Sequence, residues 1–310
     1  TTMRSAVLYV VTVLIWGSTW LAIEFQLGDV AAQVSLVYRF GIAAILMWAY
    51  CLFRRMDMQF PWSDHGFFIL LAVCNFGLNY LILYWAQNYL TSAMASIAFS
   101  TLLLMNIINT RLFFGRAIAK RIYVGAGLGV IGLGALFWHD IKDLDFASDA
   151  MLGLGLALGG TFIASLGNMA SVRNSARKIG VMQGNAWGML YGTLALTAVV
   201  LLSDAQFSFS TKPSYVLSLL YLSLFGTVIA FACYFLLLRD IGPEKASYSI
   251  VLFPVVAVVL STFYEGFVWH NNTVLGFVLV IVGNAIVLTP MAKIRHWLAL
   301  RKLQRGSHSR

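Results

Sequence analysis

The sequence predicts an all-α integral membrane protein with ten transmembrane helices, arranged as two inverted five-helix repeats. The composition, the spacing of apolar stretches and the placement of basic residues support this prediction. Of the 310 residues, 60% are apolar and 11% are charged, against about 45–50% and about 25% in soluble globular domains. So little polar surface cannot cover a water-soluble fold, and we therefore expect lipid to solvate most outward-facing side chains. The composition argues against a soluble enzyme, a nucleic-acid-binding domain and a disordered chain.

Apolar stretches separated by short polar breaks follow one another along the whole chain. Several hold 18 or more residues with few or no charges, which is typical of membrane helices. They do not alternate apolar and polar residues as the strands of a transmembrane barrel would. The first stretch lacks a small-residue cleavage site and is interpreted as a retained span. The predicted spans are 5–25, 34–53, 66–88, 92–114, 122–138, 149–172, 181–202, 214–238, 244–266 and 273–292.

The basic residues give each predicted span a direction. Alternate span ends, together with both termini, carry 18 of the 21 Lys and Arg residues, while the opposite ends carry only Lys142 and Lys212. Cytoplasmic ends are the ones enriched in basic residues, so both termini are expected in the cytoplasm. The net charge of +9 then faces the anionic inner leaflet. Membrane lipids, and not nucleic acid, are the predicted partners of this charge.

At an offset of 151 residues, predicted spans three to five align with predicted spans eight to ten without a gap. The offset places Gly125 on Gly276 and Gly132 on Gly283. Five spans per half is an odd number, so the halves would enter the membrane from opposite sides. Inverted repeats of this kind hold a substrate site near the midplane and permit alternating access. The predicted units are a first repeat (1–146), a second repeat (147–292) and a basic cytoplasmic tail (293–310).

Motifs for catalysis, metals or cofactors are weak in this sequence. Gly127, Gly129 and Gly132 match the dinucleotide fingerprint, but they lie in the middle of an apolar helix and are interpreted as a packing face. No Gly-Lys-Ser/Thr phosphate loop exists, and the histidines lie at span ends or in the tail. The three cysteines lie inside apolar stretches, as small buried residues do. We therefore expect no enzyme activity, no catalytic residue, no metal and no cofactor.

Arg39 is the one basic residue inside a predicted span. An arginine in hydrocarbon costs about 2.5–3.5 kcal/mol on insertion scales, so its side chain should face the helix bundle and have a partner. One interpretation is capture of a substrate carboxylate by the guanidinium. The other interpretation, which the sequence favours, is a structural ion pair with Glu24 at the outer end of the first span.

Polar and aromatic side chains share faces of several predicted helices. Helical spacing places Tyr80, Tyr84 and Gln87 on one face, and Trp187 and Tyr191 on another. In lipid such groups must point inward, so they either line a cavity or join helices by hydrogen bonds. Aromatic residues at span ends fit an interfacial belt instead. The candidate substrate-binding residues are Trp16, Arg39, Tyr80, Tyr84, Gln87, Ser96, Phe99, Asn168, Trp187 and Tyr248.

Pro254 lies inside the ninth predicted span and removes one backbone hydrogen-bond donor in mid-membrane. It is a candidate hinge for opening and closing the protein. A static kink that neighbouring helices accommodate is an equally good interpretation.

Several short motifs carry a resemblance to a known family. They are Trp16-Gly17-Ser18, Arg39, the stretch from Tyr84 to the Ala95-Ser96 pair, Ala246-Ser247, Pro254, Glu265-Gly266, Gly276 and Gly283. On these residues the chain resembles ten-helix members of the drug/metabolite transporter superfamily built from two EamA-type repeats. The first repeat departs from the pattern, with Leu103 where the second has Pro254 and Phe114 where it has Glu265. The aromatic residues are similar to those of the bacterial aromatic amino acid exporter.

The resemblance implies a multi-pass carrier of the bacterial inner membrane. We expect it to export small metabolites, foremost amino acids including aromatic ones, by alternating access, as a monomer or weak dimer. Import or exchange of other small organic solutes is an alternative within the same class. A membrane-embedded lipid-modifying enzyme is an alternative of another class, and a structural subunit, whose cavity aromatics would be replaceable, is a third.

Overall fold

The computed structural model describes residues 2–115, 117, 119–136, 138, 149–246, 248–289 and 291–306. Most of the described residues are helical, and the described part contains no strand. The predicted all-α fold is thus confirmed. The boundary between the predicted repeats, at residues 146 and 147, lies outside the described residues. The helices are α1 (Thr2–Glu24), α2 (Ala32–Phe53), α3 (Trp62–Asn75), α4 (Leu78–Gln87), α5 (Ser92–Phe99), α6 (Leu102–Phe114), α7 (Lys120–Leu136), α8 (Asp149–Ala176), α9 (Val181–Leu202), α10 (Pro213–Ser223), a π-helix (Leu224–Ile229), α11 (Ala230–Ala246), α12 (Tyr248–Tyr264), α13 (Asn271–Leu288) and α14 (Met291–Gly306).

Seven helical stretches in the described part are long and apolar enough to cross a membrane. Two shorter apolar helices, Leu252–Tyr264 and Asn271–Gly283, follow, and α7 has 17 residues. The count of ten spans therefore stays a prediction. The seven candidate spans are Met3–Glu24, Ala32–Phe53, Trp62–Gln87, Ser92–Phe114, Asp149–Ala176, Val181–Leu202 and Pro213–Gly242.

Three of these spans contain a break or a change of helix type. The helical hydrogen-bond pattern stops between α3 and α4 at Phe76-Gly77, and again between α5 and α6 at Ser100-Thr101. Between α10 and α11 the chain forms six residues of π-helix. Broken helices are tolerated at membrane depth only where protein or a cavity surrounds the freed backbone groups. Phe76 is fully buried, which meets this condition.

Helices of the first half pack mainly against helices of the second half. Large apolar side chains such as Leu14, Ile45, Leu112 and Leu201 are exposed on the outside of this bundle, as expected for a lipid-facing surface. Four tryptophans at or beyond the ends of predicted spans are exposed as well, as expected for an interfacial belt: Trp62, Trp138, Trp269 and Trp297. The main packed pairs are α7 with α13, α2 with α9, α3 and α4 with α8, α1 with α11 and α12, and α5 with α12.

The contact between α7 and α13 is reciprocal. A Cβ added to Gly132 would lie 2.8 Å from the carbonyl oxygen of Gly276, and one added to Gly283 would lie 2.6 Å from that of Gly125. The offset of 151 residues relates Gly132 to Gly283 and Gly125 to Gly276, so each contact is the image of the other. Of the three fingerprint glycines, Gly132 packs closely, whereas the space around Gly127 is open.

A methyl group added at this crossing should destabilise the protein. We expect Gly132→Ala and Gly283→Ala each to cost about 1–3 kcal/mol, because backbone atoms of the facing helix occupy the space. Thermal unfolding of the protein purified in detergent measures the effect. Gly134→Ala is the matched control, since nothing lies within 4 Å of the added carbon. Equal melting temperatures for all three variants would contradict the close crossing.

Candidate functional site: a central cavity

A cavity lies between the two halves of the helix bundle. The space enclosed by its side chains is about 30 Å³, enough for about two water molecules. A solute of amino-acid size therefore enters only if side chains or helices move. The lining residues come from α1, α3 to α6, α8, α11 and α12, and they are Trp16, Thr19, Trp20, Ile23, Asn75, Asn79, Tyr80, Leu83, Phe99, Leu102, Ala164, Asn168, Phe231, Tyr234 and Phe253.

Aromatic rings form one wall of the cavity, with Trp16 at their centre. The ring of Trp16 lies 4.8 Å from that of Phe231, 5.1 Å from that of Tyr234 and 5.7 Å from that of Phe253. Edge-to-face contacts of this kind hold the rings in defined positions. Trp16 belongs to the first half of the chain and its three partners belong to the second, so relative movement of the halves would change the shape of the wall.

Side-chain amides form another part of the wall. Asn75 donates to Asn168 Oδ1 (3.3 Å). Asn168 in turn donates to Asn106 Oδ1 (3.3 Å) and to the hydroxyl of Tyr234 (3.4 Å). All four side chains are buried, and hydrogen bonds among them offset the cost of removing amides from water. The cavity is thus amphipathic, since it has an aromatic wall and a neutral polar wall.

Arg39 lies one layer behind this wall and is fully buried. Three of its nitrogens donate hydrogen bonds: Nε to Thr227 Oγ1 (2.9 Å), one terminal nitrogen to the Tyr84 hydroxyl (3.1 Å) and the other to the Gly226 carbonyl (3.2 Å). The guanidinium carbon lies 4.5 Å from the centre of the Tyr80 ring. Tyr80 lines the cavity while Arg39 does not.

The expected ion pair between Arg39 and Glu24 is not formed, so that prediction was wrong. Glu24 instead accepts a hydrogen bond from Gln87 Nε2 (3.0 Å), which also donates to the Trp20 carbonyl (2.9 Å). Arg39 takes part in no ion pair within the described ranges. Neutral oxygens satisfy its hydrogen bonds, and its charge stays without a counter-ion there.

The π-helix supplies two of the three groups that hold Arg39. The carbonyl of its Gly226 also accepts from Trp16 Nε1 (3.0 Å), so one oxygen positions both the cation and the central ring of the cavity. The Thr227 hydroxyl donates to the Leu222 carbonyl five residues earlier (2.8 Å) while it accepts from Arg39. Single turns of π-helix are frequent at functional sites. A side chain at Gly226 would collide with Thr19, 2.9 Å away.

Four of the ten candidate substrate-binding residues line the cavity: Trp16, Tyr80, Phe99 and Asn168. Arg39 and Tyr84 lie in the layer behind. Gln87 contacts Glu24, and Ser96 is buried outside the lining. Ser247 lies outside the described residues, as does the side chain of Tyr248. The hinge candidate Pro254 is buried inside α12, which is helical on both sides of it.

Trp187 lies away from the cavity. Its ring packs 4.7 Å from that of Trp48 and 4.5 Å from that of His65, and its Nε1 donates to the Met58 carbonyl (3.0 Å). The Tyr191 hydroxyl on the same face lies 2.6 Å from His65 Nδ1. Helical spacing correctly predicts that Trp187 and Tyr191 share a face, but this face packs against the start of α3.

The residues predicted from the sequence do not include five that build the site: Phe231, Tyr234, Asn75, Asn79 and Thr227. The repeat offset contained a signal for one of them, because adding 151 to Tyr80 gives Phe231, another ring of the cavity wall. The same offset takes Asn75-Phe76, at the break between α3 and α4, to Gly226-Thr227 in the π-helix. Interruptions at corresponding positions of two halves point to a binding site in transporters.

An apolar helical bundle with an amphipathic cavity between its halves is typical of membrane transporters. The sequence pattern of the EamA-like transporter family matches residues 3–138 and 151–289, and the chain belongs to this family. The sequence predicts that the chain is a member of the drug/metabolite transporter superfamily, and this prediction is confirmed. The close likeness to an aromatic amino acid exporter stays a prediction.

Several relatives share most of the chain's length. Protein PagO of Salmonella typhimurium is 23% identical over 289 residues, which cover 93% of each chain. The uncharacterized inner membrane transporter YedA of Escherichia coli K12 is 27% identical over 80% of this chain and 79% of its own. A solved crystal structure that is 18% identical covers 91% of this chain and 95% of its own, with a TM-score of 0.68, and supports the fold.

A lysine at position 39 should not provide the stabilising hydrogen bonds that Arg39 makes. The three hydrogen bonds leave three nitrogens of a planar group in different directions, and a lysine ammonium cannot reproduce that arrangement. We expect Arg39→Lys to destabilise the purified protein by about 1.5–3 kcal/mol for each bond lost, as measured by thermal unfolding. Arg54→Lys, at an exposed position, is the control and should be neutral. A melting temperature unchanged by Arg39→Lys would show that the observed bonds do not stabilise the fold.

Proposed function

We propose that this protein exports small metabolites, foremost amino acids including aromatic ones, across the bacterial inner membrane by alternating access. The observation that carries the proposal is the central cavity, which has aromatic rings on one wall, amides on another and the uncompensated charge of Arg39 one layer behind. A pocket with apolar walls and a few convergent polar groups suits a medium-sized amphipathic solute.

The charge of Arg39 favours a solute with a carboxylate. A buried cation without a counter-ion creates a positive potential that the surrounding low-dielectric medium screens poorly. Tyr80, which lines the cavity, lies directly over the guanidinium. A substrate carboxylate near Tyr80 would therefore gain electrostatic attraction. A guanidinium has five N–H groups, and three of those of Arg39 donate the hydrogen bonds described above. The other two could donate to the substrate carboxylate after a small movement of the Tyr80 ring.

We also propose the ten-span architecture with two inverted repeats. The candidate spans leave α7, α12 and α13 as shorter helices, and we infer that each of these also crosses the membrane. The reciprocal glycine contacts between α7 and α13 support the repeat, since a two-fold relation requires that each contact have its image. The matched positions of the break at Phe76 and the π-helix at Thr227 support it independently.

Contacts between the halves at both ends of the bundle fit alternating access. At the predicted cytoplasmic end, Asp64 at the start of α3 pairs with Arg173 in α8 (2.9 Å), and both side chains are largely buried. At the opposite end, Gln26 after α1 donates to Ser218 Oγ in α10 (2.6 Å). Opening to one side would require the contacts at that end to break. Pro254 in α12 is the proposed hinge for this movement.

Within this proposal the substrate contacts Trp16, Tyr80, Phe99 and Asn168. Arg39 lies behind the wall and attracts the substrate carboxylate, and Tyr84 holds Arg39 there by a hydrogen bond. Gln87, Ser96 and Tyr248 are expected to meet the substrate only as the cavity opens. We propose a monomer or weak dimer in contact with membrane lipids, with both termini in the cytoplasm.

Counterflow in proteoliposomes tests the function. Liposomes loaded with unlabelled amino acid should take up labelled tryptophan, phenylalanine or tyrosine when they contain the protein. We expect Trp16→Ala and Tyr80→Ala to reduce the uptake at least tenfold, because each truncation removes a ring of the cavity wall. Trp187→Ala removes an equally large ring outside the cavity and is the matched control, which should transport normally.

The outcomes separate the alternatives. If the wild type takes up no amino acid but does take up another organic solute, the substrate class is wrong and the transporter assignment stands. If all variants match the wild type, the cavity is not the transport route. Vesicles of opposite orientation distinguish export from import.

A further inference from the structure

Asn79 has a buried acceptor oxygen that no group among the described residues uses. Its side chain is 2% exposed and lines the central cavity. Within the part of the chain that the structure describes, its Oδ1 has no hydrogen-bond partner. A buried polar atom without a partner costs about 1–3 kcal/mol, so such atoms call for an explanation. A transported solute that donates a hydrogen bond would supply the partner.

The other amides of the wall differ from Asn79 in this respect. The Oδ1 of Asn168 accepts from Asn75, and its Nδ2 donates to Asn106 and Tyr234. These groups therefore have partners before any solute enters. The acceptor of Asn79 is the unpaired one. A solute that reaches it as the cavity widens would not need to break a hydrogen bond of this oxygen.

The face of α4 that carries Asn79 differs from the face that Arg39 of α2 packs against. Leu83 lies one turn after Asn79 on the same face of α4, and its side chain lies 3.0 Å from a Cβ built on Gly160, so this face of α4 meets α8. The Tyr80 ring, which covers Arg39, lies 5.2 Å from the Phe40 ring and so faces α2. The cavity thus has a positive side near α2, and the unpaired oxygen belongs to a residue on the side of α8.

We propose that Asn79 Oδ1 accepts a hydrogen bond from a primary ammonium group of the substrate and thereby determines specificity for amines. The proposal rests on the proposed transport function. An ammonium carries three donors and no acceptor, so it fits an unpaired oxygen. The lining residues include no carboxylate, and the faces of the surrounding aromatic rings stabilise a cation further.

The two sides together orient a zwitterion. Arg39 attracts a carboxylate toward α2 and repels an ammonium from there. Asn79 accepts the ammonium on the side of α8. An α-amino acid that carries both groups on one carbon would lie with its side chain among the aromatic rings, and a solute with only one of the groups would lose one of the two anchors.

Binding of three indole compounds to the purified full-length protein tests this assignment. Tryptophan has both groups, tryptamine has only the ammonium and indole-3-propionate has only the carboxylate. Isothermal titration calorimetry in detergent measures the affinity of each. We expect Asn79→Leu to weaken tryptophan and tryptamine at least about tenfold and to leave indole-3-propionate unchanged. Asn79→Asp keeps the acceptor and should bind tryptamine at least as tightly as the wild type.

Asn185→Leu is the matched control. Asn185 is equally buried, at 1% exposure, and also has an amide atom without a partner, but it does not line the cavity. It should bind all three compounds as the wild type does. Size-exclusion profiles and melting temperatures show that each variant is folded, and Asn79→Asp provides a second folded variant if Asn79→Leu is unstable.

The outcomes distinguish the role of Asn79 from the transport function. Equal affinities of wild type and Asn79→Leu for tryptophan would overturn the role of Asn79 and leave the transport function standing. Binding of tryptamine but not tryptophan, with loss in Asn79→Leu, would support Asn79 and contradict amino acid transport. Selective loss of indole-3-propionate would show that Asn79 meets the carboxylate instead. A wild type that binds none of the compounds would contradict both proposals.

Discussion

The burial of one cation, Arg39, determines how the centre of this protein is built. Its three hydrogen bonds reach Tyr84 in the first half of the chain and Gly226 and Thr227 in the second. The carbonyl of Gly226 also positions Trp16, the ring around which the cavity wall is arranged. Hydrocarbon offers no water to satisfy a guanidinium, so these protein groups must surround it. The two halves are thereby held together at the place where a solute would pass.

The same region is where the helices depart from regular geometry. The break at Phe76 leaves Asn75 facing the amide network, and the π-helix leaves the carbonyl of Gly226 available to side chains. A regular α-helix would use such a carbonyl for its own backbone hydrogen bond. The departures lie at positions that the repeat offset relates, and the reciprocal contacts of Gly132 and Gly283 follow the same offset. The proposed inverted repeat would therefore give the cavity's irregular helices and its reciprocal glycine contacts a common origin.

Much of the helical framework could be predicted from the sequence, because the thickness of a bilayer fixes how long an apolar stretch must be. The predicted spans 92–114 and 181–202 coincide with the candidate spans Ser92–Phe114 and Val181–Leu202. The partners of the side chains could not be predicted in the same way. Periodicity shows that Trp187 and Tyr191 share a face, but only the packing of helices shows that the face meets His65. Arg39 was expected to need a charged partner, whereas the structure satisfies it with neutral oxygens, one of them a backbone carbonyl that no side-chain pattern reveals.

A cryo-electron microscopy structure of the protein in a lipid nanodisc with tryptophan bound tests the substrate site most directly. We expect density for the indole between Trp16, Tyr80 and Phe231, with the carboxylate toward Arg39 and the ammonium at Asn79. We also expect the enclosed volume, about 30 Å³ without a solute, to widen around the bound molecule. Density for tryptophan only on the lipid-facing surface, with the rings around Trp16 unmoved, would contradict the central claim that the space between the halves is the substrate site.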